Sequence, residues 1–141
     1  MILVDTSVWI AHLNVGEPLL TELLEQGEIV MHPSVLGELA CGNLRNRRQL
    51  LGFMQDLPEA ITASDDEVLR FINDKQLMGK GIGYVDAQLL ASMALSSLQC
   101  LWTRDRRLAE AARSLGYLAQ PEDTRSMLHE SAAPPYRAGT L

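Results

Sequence analysis

An α/β sandwich, with a parallel sheet and helices on both faces, is the fold class this sequence predicts. Three observations carry that expectation. Short apolar, partly β-branched runs (Met1 to Val4, Ile29 to Met31, Cys100 to Trp102) suit strands buried on both faces. Longer stretches with helical spacing separate them, the alternation of βαβ units. The 141 residues, 47% apolar and 21% charged, are enough for one globular core and too few for two.

Met1 to Val4 stops abruptly at Asp5-Thr6-Ser7, where oxygen-bearing side chains can open a helix whose inner face is Val8, Trp9 and Leu13. Pro18, favoured in a first turn, starts a second helix that runs through Leu19, Leu20, Leu23 and Leu24 to Gly27. Ile29-Val30-Met31 reads as the next strand. Pro33-Ser34 ends it and opens a helix from Val35 to Cys41, closed by Gly42. A further helix covers about Asn46 to Leu57, with boundaries good to a few residues. Ser64-Asp65-Asp66-Glu67 is a capping box, which predicts a helix from Asp65 to Met78.

Gly79-Lys80-Gly81-Ile82-Gly83 reads as a flexible turn. The helix after it, with Val85, Leu89, Leu90, Met93 and Leu95, is apolar on more than one face and so belongs in the interior. Cys100-Leu101-Trp102 ends at Thr103-Arg104-Asp105. Leu108, Ala111, Ala112 and Leu115 then supply a helix stopped by Gly116, with Tyr117-Leu118-Ala119 as a candidate last strand. Residues 1–120 are thus expected to form one domain, and 121–141, with Pro134-Pro135, a peripheral tail.

Two cysteines, Cys41 and Cys100, cannot build a disulfide framework or a four-thiolate zinc site, so a reducing, cytoplasmic setting is expected. Ala87 to Thr103 is the longest uncharged stretch, and its serines and glutamines make it too polar to face lipid. Eighteen acids against twelve bases leave a formal charge of −6. That balance argues against a general nucleic-acid coat, unless bases cluster or cations offset the acids.

Four carboxylates stand where apolar elements begin or end. Asp5 and Asp105 follow apolar strands, Glu38 lies in the nearly uncharged helix Ser34 to Cys41, and Asp86 occupies the first turn of a buried helix. In parallel α/β folds the ligand crevice lies at the carboxyl ends of the strands. Each acid has a plain alternative: a solvated turn for Asp5, an exposed face or ion pair for Glu38, a helix-start charge for Asp86, an N-cap for Asp105. Gathered together they would repel one another unless a cation compensated them. An all-oxygen donor set selects hard divalent ions.

Ile2-Leu3-Val4-Asp5-Thr6-Ser7-Val8-Trp9, Ser34-Val35-Leu36-Gly37-Glu38-Leu39, Gly83-Tyr84-Val85-Asp86-Ala87-Gln88-Leu89-Leu90-Ala91 and Leu101-Trp102-Thr103-Arg104-Asp105 occur in this order. Together they resemble the motifs of PIN-domain nucleases, and in particular VapC-type toxins, the ribonuclease halves of bacterial toxin–antitoxin pairs. The resemblance runs from Met1 to about Ala119. It places the family's acidic quartet on Asp5, Glu38, Asp86 and Asp105, and its hydroxyl before the last acid on Thr103. It implies a PIN-like single domain and a Mg²⁺-dependent endoribonuclease, with Mn²⁺ as substitute, that leaves 5′-phosphate and 3′-hydroxyl ends. It also implies an RNA substrate, a small antitoxin partner and a homodimer; the polar stretch Ala87 to Thr103 already predicts no membrane association.

On this reading the four acids are catalytic metal ligands, with Thr6, Ser7 and Thr103 as hydrogen-bonding supports or ordinary caps. Arg45, Arg47 and Arg48 follow the Glu38 helix, while Arg104, Arg106 and Arg107 flank Asp105; these six, half of all basic residues, are candidate RNA-phosphate contacts or solvated surface. Histidine catalysis through His12, His32 and His129 is the enzymatic rival. An aspartyl-nucleophile phosphatase would want an acid where Ser7 stands, and the glycine turn follows a helix, unlike a phosphate-cradling loop. The non-catalytic alternative is a receiver-like signalling module with an acidic metal-binding pocket.

Overall fold

The computed structural model describes residues 1–122. Its centre is a three-stranded parallel sheet of β1 (Ile2–Val4), β2 (Ile29–Val30) and β3 (Cys100–Trp102), in the order β2-β1-β3. Leu3 sits opposite Val30 on one side and Leu101 on the other. All three strands are buried along their length, as their uninterrupted apolar runs require.

Seven helices surround the sheet among the described residues. α1 (Thr6–Val15) and α2 (Pro18–Glu25) form the crossover from β1 to β2. α3 (Pro33–Ala40), α4 (Arg47–Gln55), α5 (Asp65–Asp74) and α6 (Tyr84–Leu95) form the longer crossover to β3, and α7 (Arg106–Ser114) follows. The chain leaves β1 first toward one neighbour, then returns to the other. With right-handed crossovers, those two excursions lie on opposite faces of the sheet. Reversal on either side of β1 makes its carboxyl end the topological switch point. Asp5 is the residue that stands there.

One core unites Leu3, Val4, Trp9, Leu20, Leu39, Met54, Leu89, Leu90, Leu101 and Leu108, which water hardly reaches. α6 is its central helix, burying Ala87, Leu89, Leu90, Ala91, Ser92 and Met93 in sequence. That run explains why no single polar face could be read from it. Among the described residues, no helix is long and apolar enough to cross a membrane.

Three expectations are corrected. α5 ends at Asp74 instead of Met78, because Gln76 takes a left-handed φ of 54° and Leu77 N–H turns back to the Ile72 carbonyl. Residues 117–119 do not make a strand: Leu118 forms a single parallel bridge with Cys100, although Leu101 and Thr103 N–H groups still bond to Leu118 and Ala119 carbonyls. A similar bridge joins Met31 to Glu59 at the opposite edge. Among the described residues, irregular chain thus bridges to each edge of the sheet and shields part of it. α3 begins at Pro33, two residues earlier than expected, because the His32 ring caps it by accepting the Ser34 N–H at 3.0 Å. The expectation of a peripheral tail over 121–141 lies, from residue 123 onward, outside the described residues.

Candidate functional site

Each of the four acids is delivered by a different element. Asp5 ends β1 and is the N-cap residue of α1; Glu38 lies in α3, Asp86 in the first turn of α6, and Asp105 is the N-cap of α7. Asp5 is buried, with 6% of its surface exposed. A buried carboxylate needs hydrogen bonds, and hydroxyls supply them. Ser7 Oγ and Thr103 Oγ1 both donate to Asp5 Oδ2 at 2.7 Å. Thr103 Oγ1 in turn accepts the Asp105 N–H at 2.9 Å, and Ser7 Oγ accepts the Arg104 N–H at 3.0 Å.

Thr6 Oγ1 donates to Glu38 Oε1 at 2.6 Å, which ties α3 to the start of α1. Thr6, Ser7 and Thr103 thus serve carboxylates; α1 itself has no side-chain cap bond. Helix capping is nevertheless real for two of the acids. Asp105 Oδ1 accepts the N–H groups of Arg107 and Leu108 at 2.9 and 3.1 Å. Asp86 Oδ2 accepts the Gly83 N–H at 3.1 Å. Each cap fixes one carboxylate oxygen and the direction of the other.

Asp86 registers the whole group. Its pKa is raised above the ordinary aspartate range, first by burial, then by the negative charges of Asp5, Asp105 and Glu38, against the opposing pull of the Gly83 N–H. Among the described residues, no three His, Cys, Asp or Glu side chains close around one point to hold a metal ion. The two facts are compatible, because charge acts over greater distances than a coordination bond. The charges of Asp5, Glu38 and Asp105 thus reach Asp86 without the four side chains closing to coordination distance.

The two described histidines are otherwise engaged. His12 Nδ1 accepts the Glu17 N–H at 3.0 Å, with its ring edge-on to Trp9. His32 caps α3, and burial lowers its pKa, which favours the neutral ring. His129 lies outside the described residues.

The arginines divide. Arg104 pairs with Glu17 at 2.6 Å and Arg106 with Glu110 at 3.2 Å. Arg47 donates to the Gly42 carbonyl at 3.2 Å, and Arg45 lines a groove of about 360 Å³ with Leu13, Asn14 and Leu50, none of them among the four acids. Arg48 is exposed on α4. Thr103, Arg104, Asp105 and Arg106 border a second groove of about 580 Å³, completed by Arg113 and Glu17 among others. Sequence reading missed Glu17 and Arg113, and neither carries a local signal. Glu17 gains its role from an arginine 87 positions away, and Arg113 is one charge among several on α7.

The PIN-domain family model matches residues 2–114, a span that holds all four acids and every element through α7. The chain belongs to the PIN-domain family. Within it, this PIN domain is 46% identical over 116 residues to Ribonuclease VapC32 of Mycobacterium tuberculosis, from strains CDC 1551 / Oshkosh and ATCC 25618 / H37Rv; the alignment covers 82% of this chain and 94% of the relative. It is therefore a PIN domain of the VapC type. The receiver-like alternative gains no support from these relatives.

Proposed function

We propose that this PIN domain is a metal-dependent endoribonuclease and the toxin of a toxin–antitoxin pair. One observation supports the reading: Asp86 feels the charges of Asp5, Asp105 and Glu38, each from a different element, while Asp5 stands at the switch point, Thr103 bridges it to Asp105 and Thr6 holds Glu38. The likeness to a protein named as a ribonuclease supports the choice of RNA as substrate.

The chemistry of the donor set fits a hard divalent cation: four carboxylates, with the charge on Asp86 disfavoured first by burial and then by the other three. Asp5 and Asp86 are the proposed principal ligands of Mg²⁺, with Mn²⁺ as substitute, and Glu38 and Asp105 complete the site or orient the attacking water. When bound, such an ion lowers the pKa of a water and offsets charge on the attacked phosphate. Asp5 offers Oδ1, because both hydroxyl donors fall on Oδ2. Asp105 offers Oδ2, because the cap occupies Oδ1. Ser7, Thr6 and Thr103 keep these carboxylates in one orientation, so that little rearrangement is needed during reaction.

Arg45, Arg47, Arg48, Arg104, Arg106 and Arg107 are proposed to meet RNA phosphates at the rim. By the same resemblance the protein works in the cytoplasm as a homodimer restrained by a small antitoxin. The test incubates purified protein with total RNA, with and without Mg²⁺, and sequences the fragment ends. Mg²⁺-dependent cleavage leaving 5′-phosphates, abolished in Asp5→Asn and Asp86→Asn, is expected. Cleavage that persists in excess chelator, or leaves cyclic phosphates, refutes the metal mechanism. Melting curves give a readout independent of activity. Mn²⁺ at a hundredfold excess over its dissociation constant should stabilise the wild type by about 2.7 kcal/mol, and Asp86→Asn far less.

A further inference from the structure

Arg107 differs from its two neighbours in how it is held. Arg104 and Arg106 are ion-paired with Glu17 and Glu110. Arg107 is exposed and forms an ion pair with none of the described carboxylates. Its side chain instead lies against Gly81, in the turn that leads into α6. A β-carbon on Gly81 would stand 2.5 Å from Arg107 Nη1, 2.6 Å from Cδ and 3.0 Å from Cζ. Gly81 also has a φ of +78°, which a side chain would strain. The left-handed turn favours glycine there, and the Arg107 side chain rests in the space that the missing β-carbon leaves.

This seat lies between the two acid-bearing helix starts. The Arg107 backbone N–H donates to Asp105, and two residues beyond Gly81 the Gly83 N–H donates to Asp86. The guanidinium pairs with none of the described carboxylates and rests on the Gly81 turn instead. Resting on Gly81 narrows where this exposed side chain can go, which lowers the cost of ordering it on a ligand. A guanidinium so placed suits a phosphodiester, to which it can donate two parallel hydrogen bonds.

We propose that Arg107, seated on Gly81, is the residue that receives the RNA phosphate adjacent to the one attacked among the carboxylates. The proposal rests on the ribonuclease reading and singles out Arg107 from the six arginines. It gives the glycine turn a function: Gly81 is a positioning residue that acts through Arg107.

The experiment measures anisotropy of a short, labelled, mixed-sequence single-stranded RNA in excess chelator over a range of salt, with a melting curve for each variant. Arg107→Ala should weaken binding about tenfold and flatten the log–log salt slope by about 0.7, the value for one neutralised phosphate of a single strand. Arg107→Lys should keep the slope and recover part of the affinity. Gly81→Ala should reproduce Arg107→Ala, and the double variant should be no weaker than either. An unchanged slope in Arg107→Ala overturns the proposal. So do Gly81 and Arg107 effects that add in full, because independent losses mean the glycine does not act through the arginine. Arg107 is exposed, so its two variants decide the matter even where Gly81→Ala fails to fold. A wild-type protein that neither binds nor cleaves RNA defeats the ribonuclease reading itself; wild-type binding that Arg107→Ala leaves intact defeats this inference alone.

Discussion

A hydroxyl at position 103 does what an apolar side chain of the same shape could not. Thr103 is 3% exposed, donates to Asp5 Oδ2 and accepts from the Asp105 N–H. Thr103→Val removes both bonds, leaves the Asp105 N–H without that acceptor and should cost about 1–3 kcal/mol; Thr103→Ser should restore most of the loss. Denaturant titration of the three proteins measures this, and equal stability for Val and Thr would show the bridge to be idle. Asp86 yields a pH prediction. Its folded pKa is raised by burial and by Asp5, Asp105 and Glu38, whereas in the unfolded chain it ionises near pH 4, about 3.9. Between those two values the native state binds more protons than the unfolded state, so stability falls as pH rises through the window. Metal-free Asp86→Asn should then melt a few degrees above wild type at neutral pH, and the gap should close toward pH 4. A variant melting lower at neutral pH would mark Asp86 as a helix-start charge and nothing more.

At the scale of elements, α7 shows one residue in two roles. Asp105 caps the helix through Oδ1 and is the proposed ligand through its other oxygen. Asn caps about as well as Asp, whereas Ala loses about 1 kcal/mol. Asp105→Asn should therefore keep its melting temperature and lose RNA cleavage, while Asp105→Ala should lose both. An active Asp105→Asn would reduce the residue to its cap. Helix starts were legible in the sequence wherever the signal was local. Pro18 opens α2, and Ser64 and Glu67 close a reciprocal capping box on α5. Pro33 likewise marks the start of α3, although the histidine that caps it carries no usual signal; the end of α5 was not legible, because a left-handed glutamine is no usual stop.

For the whole molecule, the formal charge of −6 makes RNA binding depend on where the basic residues lie. Arg45, just before α4, and Arg47 and Arg48, in its first turn, are exposed, and the groove that Arg45 lines shares no residue with the one around Asp105. Neutralising all three should weaken RNA binding and lower the salt slope by about 0.7 for each phosphate they would otherwise neutralise. An unaltered slope would leave them as solvated surface and restrict the RNA path to the α7 side. The two clusters thus make separable contributions, and combining their variants should give nearly additive losses.

The sequence by itself determined the alternation of buried strands and helices, and that four acids stand at element boundaries. Both are local properties: an apolar run interrupted by Asp5 or Asp105, a helix with Glu38 as almost its only charge. Only the tertiary structure decided that β1 is the central strand, which puts Asp5 at the switch point. It alone brought Ser7 and Thr103, 96 residues apart, onto one carboxylate oxygen, joined Arg104 to Glu17, and laid Arg107 over Gly81. Such pairings depend on how distant segments pack once the chain has closed. No residue pattern on either side announces them, because the partner's identity enters only through the fold.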